Sequence, residues 1–278
     1  MTTTLEKPPG TDAPRRSRAL VWTGGVIGAV IVLGSAWSVV GQLLWFDTEP
    51  TTATATYATR PVVELVADGD VDVRTGGADV VVEHTDRTAL GKVSYSADAT
   101  DDRLTIRNQC SWYSSCTASL AVSVPAGTEV VVRARDGDVT AKGLGGALDV
   151  DARDGHVSVA DLGGGLTVRA TDTAVDVRSV RGDVEVKASD GSVDVEDVSG
   201  SLTVRARDGR VTASAVAGDV DISATDADVT VYGTGEPVAL DIRAVDGRET
   251  IDAPTDPGAD RHVRISTRDG DATYRGPR

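Results

Sequence analysis

Leu148-Asp149-Val150-Asp151-Ala152-Arg153-Asp154-Gly155-His156-Val157-Ser158-Val159-Ala160-Asp161-Leu162-Gly163-Gly164-Gly165 is one turn of a pattern that returns every eighteen residues. Its first position recurs as Val130, Leu148, Leu166, Val184, Leu202 and Val220. Two residues on stands Val132, Val150, Val168, Val186, Val204 and Ile222, and two further on an alanine column, Ala134, Ala152, Ala170, Ala188, Ala206 and Ala224. An aspartate follows in every unit, at Asp136, Asp154, Asp172, Asp190, Asp208 and Asp226. Glycine comes next at Gly137, Gly155, Gly191 and Gly209, but Thr173 and Ala227 take that place in two units. Each unit closes with an aliphatic residue (Leu144, Leu162, Val180, Val198, Val216) and a glycine two positions later. Self-similarity at a short fixed period is the signature of a solenoid.

Within a unit, Leu148, Val150 and Ala152 alternate and so share one face of a strand; Val157 and Val159 do the same for a second strand. A unit offers too few inward side chains to fold alone. Stacked at ~4.8 Å, every strand pairs with its counterpart above and below, and the aliphatic columns become continuous. The repeat turns Asp136-Gly137, Asp154-Gly155, Asp190-Gly191 and Asp208-Gly209 then form corners. Glycine supplies positive φ there, and the aspartate is placed to accept a backbone N–H two residues on. Turns at Thr173 and Ala227 should be of another type or strained. The fold class expected is all-β, a right-handed parallel β-helix with 18-residue coils. A left-handed helix would repeat every six residues, and antiparallel hairpins would not produce this period.

The chain has 278 residues, a net charge of −15, and only one Phe, five Tyr and four Trp. Val, Leu and Ala suit a thin solenoid interior. The negative charge excludes nucleic-acid binding by the chain as a whole. The two cysteines, Cys110 and Cys116, have no histidine beside them, which makes a loop-closing disulfide the better reading than a metal site; two free thiols are the alternative.

Residues 1–18 carry Lys7, Arg15, Arg16 and Arg18, and residues 19–46 carry no charge. As a helix that apolar run would be about 42 Å long, enough to cross a ~30 Å hydrocarbon layer. With the cations on its N-terminal side, the sequence predicts a single transmembrane signal anchor, a cytoplasmic tail and an extracellular remainder. A cleaved signal peptide has a shorter apolar core. The resulting organisation is a tail (1–18), an anchor (19–46), a Thr/Pro/Ala linker (47–59), an irregular β region with the cysteine pair (60–129) and the regular solenoid (130–278). Asp68-Gly69-Asp70-Val71 already reads as a repeat turn. After Val231 an insertion shifts the register, so that Leu240, Ile242, Ala244, Asp246 and Gly247 are expected to continue the columns.

A stack of carboxylates invites a calcium reading, but the Gly-Gly-x-Gly-x-Asp signature of calcium rolls is absent. Acid pairs of the glycosidase kind also occur, as Asp149 with Asp151, or Asp194 with Glu196, with Asp176 nearby. They occur in almost every unit, whereas a catalytic pair should break the pattern at one place. His84, His156 and His262 are far apart in the sequence. No catalytic residue, cofactor site or metal site is therefore assigned.

Cys110 and Cys116 after Leu104-Thr105-Ile106-Arg107, then Val122-Ser123-Val124-Pro125-Ala126-Gly127, then Asp-Gly-x-Val turns at 136–139, 154–157, 190–193 and 208–211, carry a likeness over residues 60–275. In these features the chain resembles an actinobacterial membrane-anchored family of candidate adhesins, a β-strand-repeat domain of unknown function. The resemblance implies a cell-surface β-helix without known catalytic residues. It points to a non-enzymatic surface-binding module whose partners are the membrane and a cell-wall glycan or surface protein. An envelope-stress regulatory protein is the alternative, and a polysaccharide-acting enzyme the more remote one. Any specific site should lie where the period fails: the Cys110–Cys116 loop, Thr173, Ala227, or the insertion from Tyr232 to Val238.

Overall fold

A computed structural model describes residues 50–90, 92–111 and 115–278. The basic tail, the expected anchor and most of the linker lie outside the described residues. Glu49–Arg278 form one compact unit. Among the described residues the regular structure is all strand, with no helix.

The strands before the regular array are β1 (Thr51–Tyr57), β2 (Val62–Ala67), β3 (Val71–Thr75), β4 (Val80–Leu90), β5 (Val93–Ala99), β6 (Arg103–Cys110) and β7 (Ser115–Val124). The array itself runs through β8 (Glu129–Asp136), β9 (Val139–Lys142), β10 (Leu148–Leu162), β11 (Leu166–Ala170), β12 (Thr173–Val180), β13 (Val184–Ala188), β14 (Ser192–Val198), β15 (Leu202–Val216) and β16 (Val220–Tyr232). Four strands follow: β17 (Ala239–Ala244), β18 (Glu249–Asp252), β19 (His262–Thr267) and β20 (Ala272–Arg275).

The period of eighteen is a pairing register. Leu148 lies opposite Leu166, Val150 opposite Val168 and Ala152 opposite Ala170 in a parallel ladder. On the second sheet Val157 pairs with Val175 and Val159 with Val177. The same offset joins β13 to β15 and β15 to β16. Inward side chains stack as the alternation requires: Val150, Val168, Val186 and Val204 are all 0 % exposed. Each fully buried Val or Leu contributes about 1.5–3 kcal/mol of apolar transfer, but only once a neighbouring coil covers it. The result is a solenoid-like stack.

At the two ends the stack departs from chain order. β16 does not pair with β17, as continuation of the columns would require. It pairs with β19, Val220 opposite Val263 and Ile222 opposite Ile265. β17 pairs with the far side of β19, Leu240 opposite Val263 and Ile242 opposite Ile265. Likewise β20 lies between β16 and β18. The columns at Leu240, Ile242 and Ala244 do continue, but one coil further out than expected. The final segment inserts between two coils that precede it, because Val263, Ile265, Ala272 and Tyr274 then become buried on both sides.

The N-terminal end repeats the device. β2 lies between β6 and β8, and β3 between β7 and β9. The coil from Asp68-Gly69-Asp70-Val71 thus stacks directly on the regular array, while the later coil of β6 and β7 lies outside it. That outer coil is covered in turn by antiparallel strands: β5 on β6, β4 on β7, and β1 on β4.

Candidate functional site

The repeat corners come first. Gly137, Gly155, Gly191 and Gly209 adopt φ of +148°, +117°, +128° and +116°, the region that glycine enters at no steric cost. Asp154 stacks on Asp136, and Asp208 pairs with Asp226 in the ladder. Among the described residues the carboxylates of Asp136, Asp154, Asp190 and Asp208 accept no hydrogen bond, so the expected capping by this column does not occur. The capping residues are instead aspartates that follow the corner glycine or its substitute. The backbone N–H of His156 donates to Asp138 (2.9 Å), that of Ser201 to Asp183 (2.8 Å), that of His262 to Asp219 (2.8 Å) and that of Asp271 to Asp228 (3.0 Å). A side chain one residue past the corner points along the stack and reaches the N–H of the next coil. The signal was in the sequence as Gly-Asp (69–70, 137–138, 182–183, 218–219, 270–271) rather than Asp-Gly.

The two corners without glycine solve the turn differently. Asp172 takes the positive φ (+52°), and the buried Thr173 donates its hydroxyl to the carbonyls of Arg153 (2.9 Å) and Thr171 (2.8 Å). At Ala227 the strand runs on without a left-handed residue, and Thr267 of the inserted coil donates to the Ala227 carbonyl at 3.0 Å. A further column escaped the sequence reading. Asp161, Ser179, Asp197 and Ala215, eighteen apart, all have φ between +52° and +59° just before the aliphatic corner plug. Ser179 donates to Asp197 at 2.9 Å within a shallow depression on that corner.

The outer surfaces of the two sheets differ. On the first, acids and bases alternate in adjoining rows: Arg169 binds Asp149 (2.9 Å), Lys187 and Arg205 reach Glu185 (2.7 and 3.4 Å), and Arg264 reaches Asp241 (3.3 Å). The Lys187 ammonium holds the Glu185 carboxyl below its usual range. Near the N-terminal end the buried Glu64 is clasped by Arg103 (2.9 Å) and Arg133 (3.1 Å). Burial pushes its pKa up, but the two guanidiniums and the Thr105 hydroxyl outweigh that and lower it.

On the second sheet the outward row runs Asp176, Asp194, Thr212, Thr230 in strict register. Asp176 meets His156 at 3.1 Å and Arg178 at 3.6 Å, and Glu196 lies 3.8 Å from Arg178. Asp176, Arg178, Asp194, Glu196, Thr212, Ser214 and Arg278 line an open depression of about 250 Å³. Asp149 and Asp151 project from the first sheet and Asp176 and Asp194 from the second, so these acids are distributed over two faces. Among the described residues, no three carboxylate, imidazole or thiol groups converge in a set that could hold a metal ion.

At the N-terminal end a disulfide joins Cys110 at the end of β6 to Cys116 near the start of β7, with Cα atoms 6.0 Å apart. Beside it, the Tyr57 and Tyr95 hydroxyls are 2.8 Å apart and link β1 to β5 across the stack, and His84 lies parallel to the Tyr95 ring at 4.1 Å. Burial and the Tyr57 contact push the Tyr95 phenol well above its ordinary pKa. Asn108, fully buried, donates to Asp86 at 2.9 Å. At the other end, in the insertion after Val231, Tyr232 lies under the Arg278 guanidinium (5.5 Å) and Arg261 donates to Thr234 at 2.8 Å.

The model of the family Toastrack DUF4097 matches residues 63–275, from the first inward residue of β2 to the end of β20. The chain belongs to the Toastrack family. No curated protein matches it. Solved structures similar to this Toastrack chain include a candidate adhesin from Parabacteroides merdae, with 10 % identity over 81 % of this chain and 96 % of that one, at a TM-score of 0.44. A candidate adhesin from Bacteroides fragilis shares 10 % identity over 83 % of this chain and 98 % of its own, with a TM-score of 0.40. A candidate lipid-binding protein from Parabacteroides distasonis shares 11 % over 81 % and 96 %, with a TM-score of 0.35. The matched residues of this Toastrack chain include both exchanged ends of the stack as well as the regular coils.

Proposed function

We infer that this chain is a non-enzymatic surface-binding module, held by one N-terminal membrane helix with its solenoid outside the cell. The address rests on the uncharged run 19–46 and the cations before it. Right-handed winding rests on the general preference of parallel crossovers. The ligand class is a cell-wall glycan or a surface protein, bound along the outer face of the second sheet, on the regular coils and not where the period fails.

One observation carries the ligand reading. Asp176, Asp194, Thr212 and Thr230 form a row repeating at the strand spacing, flanked by Arg178, Glu196 and Ser214 over an open depression. Such a surface offers many equivalent hydrogen-bonding groups to an extended ligand and encloses none of it. The acids here are offset by His156 and Arg178 rather than set against each other as an acid and a base.

The test is retention of the full chain, in detergent, on isolated cell walls and on a glycan array. The double variant Asp194→Ala, Thr212→Val should bind at least about tenfold more weakly, the size of two lost polar contacts. Arg169→Ala on the opposite sheet should bind like the parent. Failure to bind any wall or glycan, or equal loss in the two variants, sinks the reading. Release of soluble sugar fragments that one Asp substitution abolishes would make the chain an enzyme instead.

A further inference from the structure

The two ends of the stack are finished differently. At the N-terminal end, β4 and β5 cover the outermost coil, so that its inward Leu104 and Ile106 are 1 % and 0 % exposed. At the other end the outermost coil is β17 and β18, and among the described residues each pairs on one side only, with β19 and β20. Its inward Leu240, Ile242 and Ala244 are only partly buried, and Val245 and Ile251 are 57 % and 53 % exposed.

The open edge is short and its limits are defined. The N–H groups of Ala239 and Val245 point into the stack, to Arg261 (2.9 Å) and Thr267 (3.2 Å). Alternation therefore turns those of Leu240, Ile242 and Ala244 outward. The outer side is closed at one end by Asp256, whose N–H donates to the Val238 carbonyl at 3.0 Å. At the other end the Glu249 carboxylate accepts the Ala244 N–H at 3.0 Å. What remains is a window from Leu240 to the Ala244 carbonyl, centred on Ile242.

We propose that this window is an interface that takes the same strand of a second copy of the chain, antiparallel, across a two-fold axis at Ile242. The charges select that occupant. With Ile242 opposite its own counterpart, Asp241 of each copy falls opposite Arg243 of the other, and Leu240 opposite Ala244. A strand added to an exposed edge gains main-chain hydrogen bonds, and its side chains set the register. A two-fold interface is self-complementary and closes after two copies, so an open β edge does not grow into a fibre.

The test uses the full chain in nonionic detergent with Ile242→Cys, treated with a short thiol-to-thiol cross-linker; Ser223→Cys on β16, two coils inward, is the control. Covalent dimer should form at least about tenfold faster at residue 242 than at residue 223. In the Ile242→Cys background, Arg243→Asp sets the introduced carboxylate against Asp241 of the other copy, twice per dimer, and should lower the yield about tenfold. Asp241→Arg should do the same, and an equimolar mixture of the two charge variants should regain the parental yield, since both facing pairs are again opposite in sign. Equal cross-linking at 242 and 223, a yield indifferent to Arg243→Asp, or a mixture that stays monomeric while both variants melt like the parent would each overturn the proposal.

Discussion

A Cβ placed on Gly182 would stand 2.6 Å from the carbonyl oxygen of Gly164 one coil below, whereas at Gly143 it would meet nothing within 4 Å. Both residues sit at corners, but for different reasons: Gly182 allows two backbones to approach, and Gly143 supplies a φ of +69°. Gly182→Ala should cost about 3 kcal/mol through overpacking against backbone that cannot yield. Gly143→Ala should cost about 1 kcal/mol, the penalty of a left-handed alanine. Urea denaturation of the two variants checks the ranking; equal losses would mean that corner φ, and not the close approach, dictates glycine throughout. The glycine columns were legible in the sequence, but the two reasons were not, because the clash is with a residue eighteen positions away. The role of the aspartates is hidden in the sequence for a related reason. Asp-Gly is a familiar local turn, while the capping by Asp138 and Asp183 reaches across to the next coil.

Among the elements, the inserted pair β19 and β20 is flanked by strands on both sides. Val263, Ile265, Ala272 and Tyr274 are each at most 1 % exposed. Removing residues 259–278 would forfeit roughly 5–10 kcal/mol of side-chain burial and leave β17 and β18 with no partner among the described strands. The truncated chain should lose the order of residues 233–258 as well, seen as new protease cleavage there, while the regular coils up to β15 stay protected. If 233–258 remain resistant, the coil of β17 and β18 can dock directly on β16, and the exchange is not required. The strands themselves could be read from alternation. Their neighbours could not, since Leu240-x-Ile242 and Val263-x-Ile265 present nearly the same inward faces to β16.

Across the whole molecule, a net charge of −15 is arranged partly as in-register acids: Asp136 on Asp154, Asp176 on Asp194, Asp208 on Asp226. Screening shortens from ~10 Å at 0.1 M salt to ~3 Å at 1 M, so this repulsion should fade as salt is added. The melting temperature should rise by about 2–4 °C, equivalent to about 1 kcal/mol at this size. Calcium and magnesium at equal ionic strength should act alike; a rise specific to millimolar calcium would make the aspartate column a cation site. The amino-acid sequence by itself determined the coil, its two strands, its inward columns and its corners. A side chain's face depends on its place within eighteen residues, and that place is repeated in every unit. Only the tertiary structure decided the order of coils at both ends, which end is covered, and where the open edge lies. Parallel backbone edges are chemically equivalent, so the choice among them falls to total burial, and that quantity exists only when all the coils are stacked together.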